Sequence, residues 1–242
     1  AVMKADDIEK GHEIANKNDP EYDFINNEDI SVSNPDGNAA GLFVISSTMR
    51  NILNNKSINV TGGNICGIFI NSSAIEEDIV NNGTINTTGT TKSYGIVIGD
   101  SSTVRDIINN GTINAVGTDG AYGINIDSNV EVRDIVNNGS INVISNGRSV
   151  GISAFDIAVG DLINNGSINA FGSREVNGVY IERNSAVEDI INTGNISAVS
   201  TKNGYGIYLN SSSTVEDIIN NGSITGAGDD SGSGINLSNS SI

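Results

Sequence analysis

Residues 106–126, DIINNGTINAVGTDGAYGINI, recur along the chain with small changes. DIVNNGTINTTGTTKSYGIVI begins at Asp78, DIVNNGSINVISNGRSVGISA begins at Asp134, and looser copies begin at Asp23 and Asn51. Consecutive copies start 27 or 28 residues apart, and a fixed period of this kind identifies a repeat protein. The first apolar residues of the eight copies are Phe24, Ile52, Ile79, Ile107, Ile135, Leu162, Ile190 and Ile218.

Each copy contains three short segments with the character of β-strands. One surrounds the first apolar pair, one surrounds a central Ile that is present in every copy, and one is a Gly-apolar-x-apolar unit such as Gly95-Ile96-Val97-Ile98. Alternation with a period of two is typical of a strand with one buried face. Asn-Gly pairs and Gly, Ser and Thr residues separate the segments and predict turns. No stretch of helical length keeps a 3.6-residue period, so we expect an all-β fold.

A three-strand unit of 27 or 28 residues cannot bury its apolar face alone, but coiling stacks equivalent positions about 4.8 Å apart. The repeat therefore predicts a single-stranded, right-handed parallel β-helix of about eight turns over residues 23–242. A propeller blade would need about 40–45 residues. Residues 1–22 do not match the repeat, and we expect them to form a cap over the first turn or a leader segment.

Composition excludes several classes of function. The formal net charge of −17 and the pI near 4.1 argue against a nucleic-acid partner, because phosphate contacts need clustered Lys and Arg. A single His, His12, argues against a Ser-His-Asp triad and a His-based zinc site. Cys66 is the only cysteine and is expected to be a packed side chain. No apolar run approaches the length of a membrane-spanning helix.

Asparagine accounts for 37 residues, and an Asn-Asn pair stands at the same place in seven of the eight copies. Stacked amides predict a ladder of side-chain hydrogen bonds along the coil. Which Asn of the pair points inward is open at this stage. We expect the second Asn to adopt the left-handed conformation at a bend, with Gly following.

Repeats built on NNGTIN and NNGSIN, followed by a YGI-type strand, resemble the passenger domains of bacterial autotransporter adhesins. The resemblance covers roughly residues 23–242. It implies a β-helix, secretion to the cell surface, a C-terminal membrane barrel, and a role in adhesion or autoaggregation. This sequence contains no barrel.

Two columns of charged residues are candidates for chemistry. In one, an Asp opens each of six copies, and we expect these carboxylates to accept backbone N–H bonds, with bound Ca²⁺ as the alternative. In the other column, no aromatic platform is expected beside the charged loop residues. These residues are expected to form a solvated edge or, as a lesser alternative, a groove that binds a polysaccharide. The loop residues are Lys92, Asp119, Arg148, Arg174, Glu175, Lys202, Asp229 and Asp230.

The x residues of the Gly-apolar-x-apolar units point away from the core and predict a partner-binding face. Phe43, Phe69 and Val97 are expected to form an exposed apolar strip, and Tyr180 and Tyr208 a second patch suited to sugar stacking or a protein rim. A loop or residues 1–22 folded over the strip is the alternative.

The sequence thus favours a non-enzymatic, extracellular adhesin segment that binds a cell-surface protein or glycan, or itself. The alternatives are a structural protein that stacks end to end into fibres or a surface layer, and a polysaccharide-active enzyme. No catalytic, cofactor or metal site is expected.

Overall fold

The computed structural model describes residues 8–239 and shows a parallel β-solenoid of about eight turns with three strands per turn. Each turn runs through three parallel sheets, named sheet A, sheet B and sheet C, and in two turns the sheet B segment is divided into two short strands. The predicted all-β coil of eight turns is confirmed. Residues 1–7 of the expected cap or leader lie outside the described residues.

Sheet A contains the Gly-apolar-x-apolar strands and one strand from the non-repeat segment. Its strands are Lys10–Ala15, Ala39–Ile45, Ile65–Asn71, Lys92–Ile98, Gly120–Ile126, Arg148–Phe155, Glu175–Glu182, Asn203–Asn210 and Ser231–Ser238. Lys10–Ala15 pairs in parallel with Ala39–Ile45 at the first edge of the sheet.

Sheet B begins each repeat. Its strands are Asp23–Asn26, Thr48–Met49, Asn51–Asn54, Ala74–Asn81, Thr103–Asn109, Glu131–Asn137, Ala158–Val159, Leu162–Asn164, Ala186–Asn192 and Thr214–Asn220. Sheet C follows the Asn-Asn corner and holds the central Ile. Its strands are Ile30–Asn34, Ser57–Gly62, Thr84–Gly89, Thr112–Gly117, Ser140–Ser145, Ser167–Gly172, Asn195–Ser200 and Ser223–Gly228.

The central Ile residues stack in register through the middle of the coil. Ile113 pairs with Ile85 on one side and Ile141 on the other, and all three are fully buried. Glycine in the sheet A strand makes room for this column, because a Cβ on Gly95 would lie 2.3 Å from Cγ2 of Ile113. The invariant Gly of one turn therefore packs directly against the invariant Ile of the next turn.

The first Asn of each pair points inward and forms a buried ladder. Nδ2 of Asn81 donates to Oδ1 of Asn109 at 2.8 Å, and Nδ2 of Asn109 donates to Oδ1 of Asn137 at 2.8 Å. The second Asn forms a parallel, exposed ladder, in which Nδ2 of Asn110 donates to Oδ1 of Asn82 at 2.9 Å. The predicted ladder is confirmed, and two further ladders accompany it: this exposed one and a half-buried one on sheet C, in which Nδ2 of Asn114 donates to Oδ1 of Asn86 at 2.8 Å.

The expected left-handed bend at the Asn-Gly corner is wrong. Gly111 is required there by close approach, since a Cβ would lie 1.9 Å from the carbonyl oxygen of Gly83 in the previous turn. Left-handed residues occur instead in the connections from sheet A to sheet B. The left-handed residues of these connections within residues 8–239 are Asn16, Ser46, Ser72, Ser101, Asn129, Asp156, Arg183, Asn184, Ser211 and Ser212.

Candidate binding surfaces

The predicted apolar strip lies on the outer face of sheet A, away from the central core, but it is not exposed. Phe43, Phe69 and Val97 retain 7%, 1% and 0% of their accessible surface. They form a separate apolar cluster with Ala40, Cys66 and Tyr94. The expectation of exposure is therefore wrong for these three residues, because alternation fixes only the side of the sheet and not what packs there. Their place in a partner-binding face stays a prediction.

Part of the non-repeat segment packs against this cluster. Ile8 contacts it, together with Ile45 and Tyr122. A Cβ on Gly11 would lie 2.9 Å from the ring of Phe43, so the backbone at Gly11 approaches that ring closely.

Cys66 occupies the position of Tyr94 one turn earlier and is fully buried, which confirms that it is a packed side chain. Its Sγ lies 2.9 Å from the carbonyl oxygen of Ile68. Burial raises the pKa of the Cys66 thiol, so this group stays protonated and unreactive near neutral pH.

The predicted tyrosine patch is larger than its two predicted members. The rings of Tyr180 and Tyr208 lie 5.3 Å apart, and that of Tyr205 lies 4.8 Å from Tyr208. Tyr180 is buried and Tyr208 is half-buried. Burial raises the pKa of Tyr180 to about 12. Sequence reasoning missed Tyr205, whose side chain emerges three residues before Tyr208 on the same strand.

A cleft of about 490 Å³ opens on the outer face of sheet A between the two predicted patches. This volume falls within the range of small-molecule sites. The residues that line the cleft are Lys92, Tyr94, Tyr122, Asn125, Asp127, Arg148, Ser153, Phe155, Glu182 and Arg183.

Aromatic rings and guanidinium groups pack together around the cleft. The rings of Tyr94 and Tyr122 stack at 4.9 Å with an interplanar angle of 12°. Burial raises the pKa of both phenols, which keeps them protonated. The guanidinium carbon of Arg148 lies 4.2 Å from the ring centre of Tyr180, and that of Arg183 lies 4.6 Å from the ring centre of Phe155.

The charged loop edge runs directly beside these rings. Lys92 begins the strand that carries Tyr94, and Arg148 contacts Glu175 of the next turn at 2.8 Å. The expectation that this edge lacks an aromatic platform is therefore wrong. The signal was present in the sequence, because Tyr94 and Tyr122 occupy equivalent repeat positions and must stack in a solenoid.

Two carboxylates of the Asp column are bound by arginines that reach back one turn. Arg105 binds Asp78 through two bonds of 3.0 Å, and Nε of Arg133 donates to Asp106 at 2.9 Å. Where Gly160 replaces Arg, the Asp161 amide donates to Asp134 at 2.9 Å. These carboxylates thus accept bonds from the next turn and not within local turns. The expected backbone N–H bonds are found at Asp134 and Asp161. Within residues 8–239, no three His, Cys, Asp or Glu side chains are grouped to hold a metal ion.

Asp23, which opens the first repeat copy, pairs with Arg50 of the next turn, and acid should weaken this ion pair in a defined pH window. Hydrogen bonds from Arg50 and Asn51 lower the pKa of Asp23 to about 2 from an ordinary value of 3.8. A depressed folded-state pKa stabilises the protein above about pH 4 and loses that effect as the pH falls towards 2. We expect the difference in melting temperature between wild type and Asp23→Asn to be largest above pH 4 and to shrink below it.

Asp189→Asn is the comparison variant, because Glu216 stands one turn on at the position that Arg50 holds relative to Asp23. No arginine pairs with Asp189 within residues 8–239, so this substitution should not remove stability that is present above pH 4 and lost below it. An offset between wild type and Asp23→Asn that did not change with pH would contradict the assigned ion pair.

The outer face of sheet C carries an exposed apolar column that the sequence reasoning missed. Val116, Ile144, Phe171 and Val199 occupy four consecutive turns in register and expose 40%, 49%, 44% and 41% of their surface. The signal was the alternation after the central Ile, as in Ile113-Asn114-Ala115-Val116, where every second side chain points outward. These are among the most exposed large apolar residues of the described chain.

The fold and these surfaces define the chain as a parallel β-solenoid protein with two candidate binding faces. Comparison with protein-family models, with curated proteins and with solved structures finds no match to this chain. Among the described residues, the structure contains no helix with the length and apolar character needed to cross a membrane.

Proposed function

We propose that this chain is a non-enzymatic, extracellular adhesion protein that joins cell surfaces through contacts between copies of itself. The observation that carries this proposal is the outer face of sheet C, with its exposed column of Val116, Ile144, Phe171 and Val199. The resemblance of the repeats to autotransporter passenger domains supports the cell-surface location.

The charge distribution favours a second copy as the occupant of this face. The chain carries 12 basic and 29 acidic residues, yet none of the eight strands of sheet C contains a charged residue. Two molecules of net charge −17 repel one another over most orientations. Approach through sheet C keeps their charged sheets apart and brings together apolar, Asn, Ser and Thr side chains.

The face is also large enough for a stable contact. Eight strands about 4.8 Å apart, each of about six residues at roughly 3.3 Å, span an area of about 750 Å². A standard protein interface buries about 800 Å² on each partner. Similar side chains recur in straight columns of this face, as in the packed sheets of stacked-strand assemblies, and two such faces can pack against each other.

A charge placed in the apolar column should abolish self-association. We expect the wild-type protein to sediment as a concentration-dependent dimer or larger species, and beads coated with it to clump. Ile144→Glu places a carboxylate within the apolar column, where contact with a second copy would bury the charge at a high cost. This variant should therefore sediment as a monomer, and its beads should stay dispersed. Analytical ultracentrifugation and bead turbidity measure the two effects.

Ile25→Glu is the matched control, because Ile25 is an equally exposed apolar residue on sheet B. It should associate like the wild type. A wild-type protein that remains monomeric at high concentration, or equal loss of association in both variants, would contradict the proposal. Long filaments in negative-stain images would instead favour end-to-end stacking.

A further inference from the structure

We propose that the cleft on the outer face of sheet A binds an acidic saccharide of one or two units. The cleft lies on a different sheet from the proposed self-association face, so a ligand can occupy it in either state of association. Its shape, its aromatic walls and its charge each bear on the class of ligand.

The recess arises from a change of side-chain size along one column. Successive turns place Val97, Asn125, Ser153 and Tyr180 at the same position. The two short side chains, Asn125 and Ser153, line the cleft, and the column continues with the larger Tyr180 in the next turn. The recess is therefore about two turns long, or roughly 10 Å, which suits one or two pyranose rings.

The walls combine apolar faces with polar edges. Tyr122 precedes Asn125 on its strand, and Asp127 follows it. In the next turn Phe155 follows Ser153. Tyr122 is half-buried and can offer apolar surface to the C–H face of a sugar, whereas Tyr94 is buried. The amide, hydroxyl and carboxylate groups can bond to the hydroxyls of the sugar. The polar groups around the cleft suit a polar ligand better than a purely apolar one.

Arg183 gives the cleft a group that can bind an acidic sugar. Lys92, Arg148 and Arg183 line the cleft together with the carboxylates of Asp127 and Glu182. Arg148 is already paired with Glu175. Arg183 is exposed at the rim above Phe155 and makes no ion pair within residues 8–239. Its planar guanidinium can bind a carboxylate through two parallel hydrogen bonds.

Calorimetry with two matched disaccharides tests the proposal. The probes are α-1,4-digalacturonate and α-1,4-digalactose, which differ in their carboxylates. We expect the wild-type protein to bind digalacturonate saturably and to bind digalactose about tenfold more weakly, through loss of a charge-assisted pair. Arg183→Gln should reduce digalacturonate binding to the level of digalactose and leave digalactose binding unchanged.

Ser153→Tyr should block both sugars, because it fills the cleft with a side chain that Tyr180 and Tyr208 already place in the same column. Asn236→Tyr adds the same side chain to this column outside the cleft and should bind like the wild type. Thermal melts of both variants within a few degrees of wild type show that the solenoid is intact. No saturable binding by the wild type, equal binding of the two sugars, or undiminished binding by Ser153→Tyr would overturn the proposal.

Discussion

Ile113→Asn should lower the melting temperature of the solenoid by roughly 10 °C, which corresponds to about 4 kcal/mol for a chain of this size. Ile113 is fully buried between Ile85 and Ile141 and packs on Gly95. The change removes buried apolar surface worth about 1.5–3 kcal/mol and places an amide without partners in a dry column, at a further cost of about 1–3 kcal/mol.

Thr112→Ser is the control for this prediction. Thr112 precedes Ile113 on the same strand and is only half-buried, and Ser140 and Ser167 occupy its position in the next two turns. We expect a change within about 0.5 kcal/mol. Thermal or denaturant melts measure both variants, and equal losses would show that the faces of the strand are wrongly assigned.

Asn109→Leu should be the second most destabilising change, at about 3 kcal/mol. The side chain of Asn109 accepts a bond of 2.8 Å from Asn81 and donates one of 2.8 Å to Asn137, and all three residues are fully buried. Leucine keeps the approximate size but deprives the Oδ1 of Asn137 of its donor and weakens the bonding of the Asn81 amide. Each unsatisfied buried group costs about 1–3 kcal/mol.

Asn110→Thr tests whether burial, and not simply membership of a ladder, sets this cost. Asn110 belongs to the exposed ladder, and Thr193 already replaces Asn there in another turn, where its Oγ1 donates to Asn165 at 2.8 Å. We expect Asn110→Thr to change stability by less than about 0.5 kcal/mol. Urea denaturation measures both variants. Equal midpoints for Asn109→Leu and Asn110→Thr would contradict the assignment of one ladder as buried and the other as exposed.

The repeat made most of the fold predictable. A 27- or 28-residue period forces equivalent residues into register, so the central Ile column and the amide ladder follow from spacing alone. The direction of each side chain was also predictable, as shown by Phe69, which lies outside the central core. The burial of Phe69 was not predictable, because it depends on what packs over the outer face of sheet A. Part of residues 8–22 packs against the cluster that contains Phe69, and these residues do not share the repeat.

Other features depended on distances that a repeat pattern does not encode. Gly111 looked like a conformational requirement, but its role is a close approach to the carbonyl of Gly83. The cleft could be predicted only by comparing the sizes of side chains at equivalent positions of neighbouring turns, since no single repeat contains it. Arg105 and Arg133 precede Asp106 and Asp134 in the sequence, but each binds the Asp of the turn before, which sequence adjacency does not indicate.

The inner asparagine ladder has a direction. From Asn26 to Asn220, every Nδ2 donates to the next Oδ1 towards the C-terminus. One reversed amide would oppose oxygen to oxygen on one side and nitrogen to nitrogen on the other, so the whole row must reverse together or not at all. Its amide dipoles add along the coil axis and polarise one another. The exposed ladder donates in the opposite sense, and the two rows partly cancel as antiparallel electric dipoles.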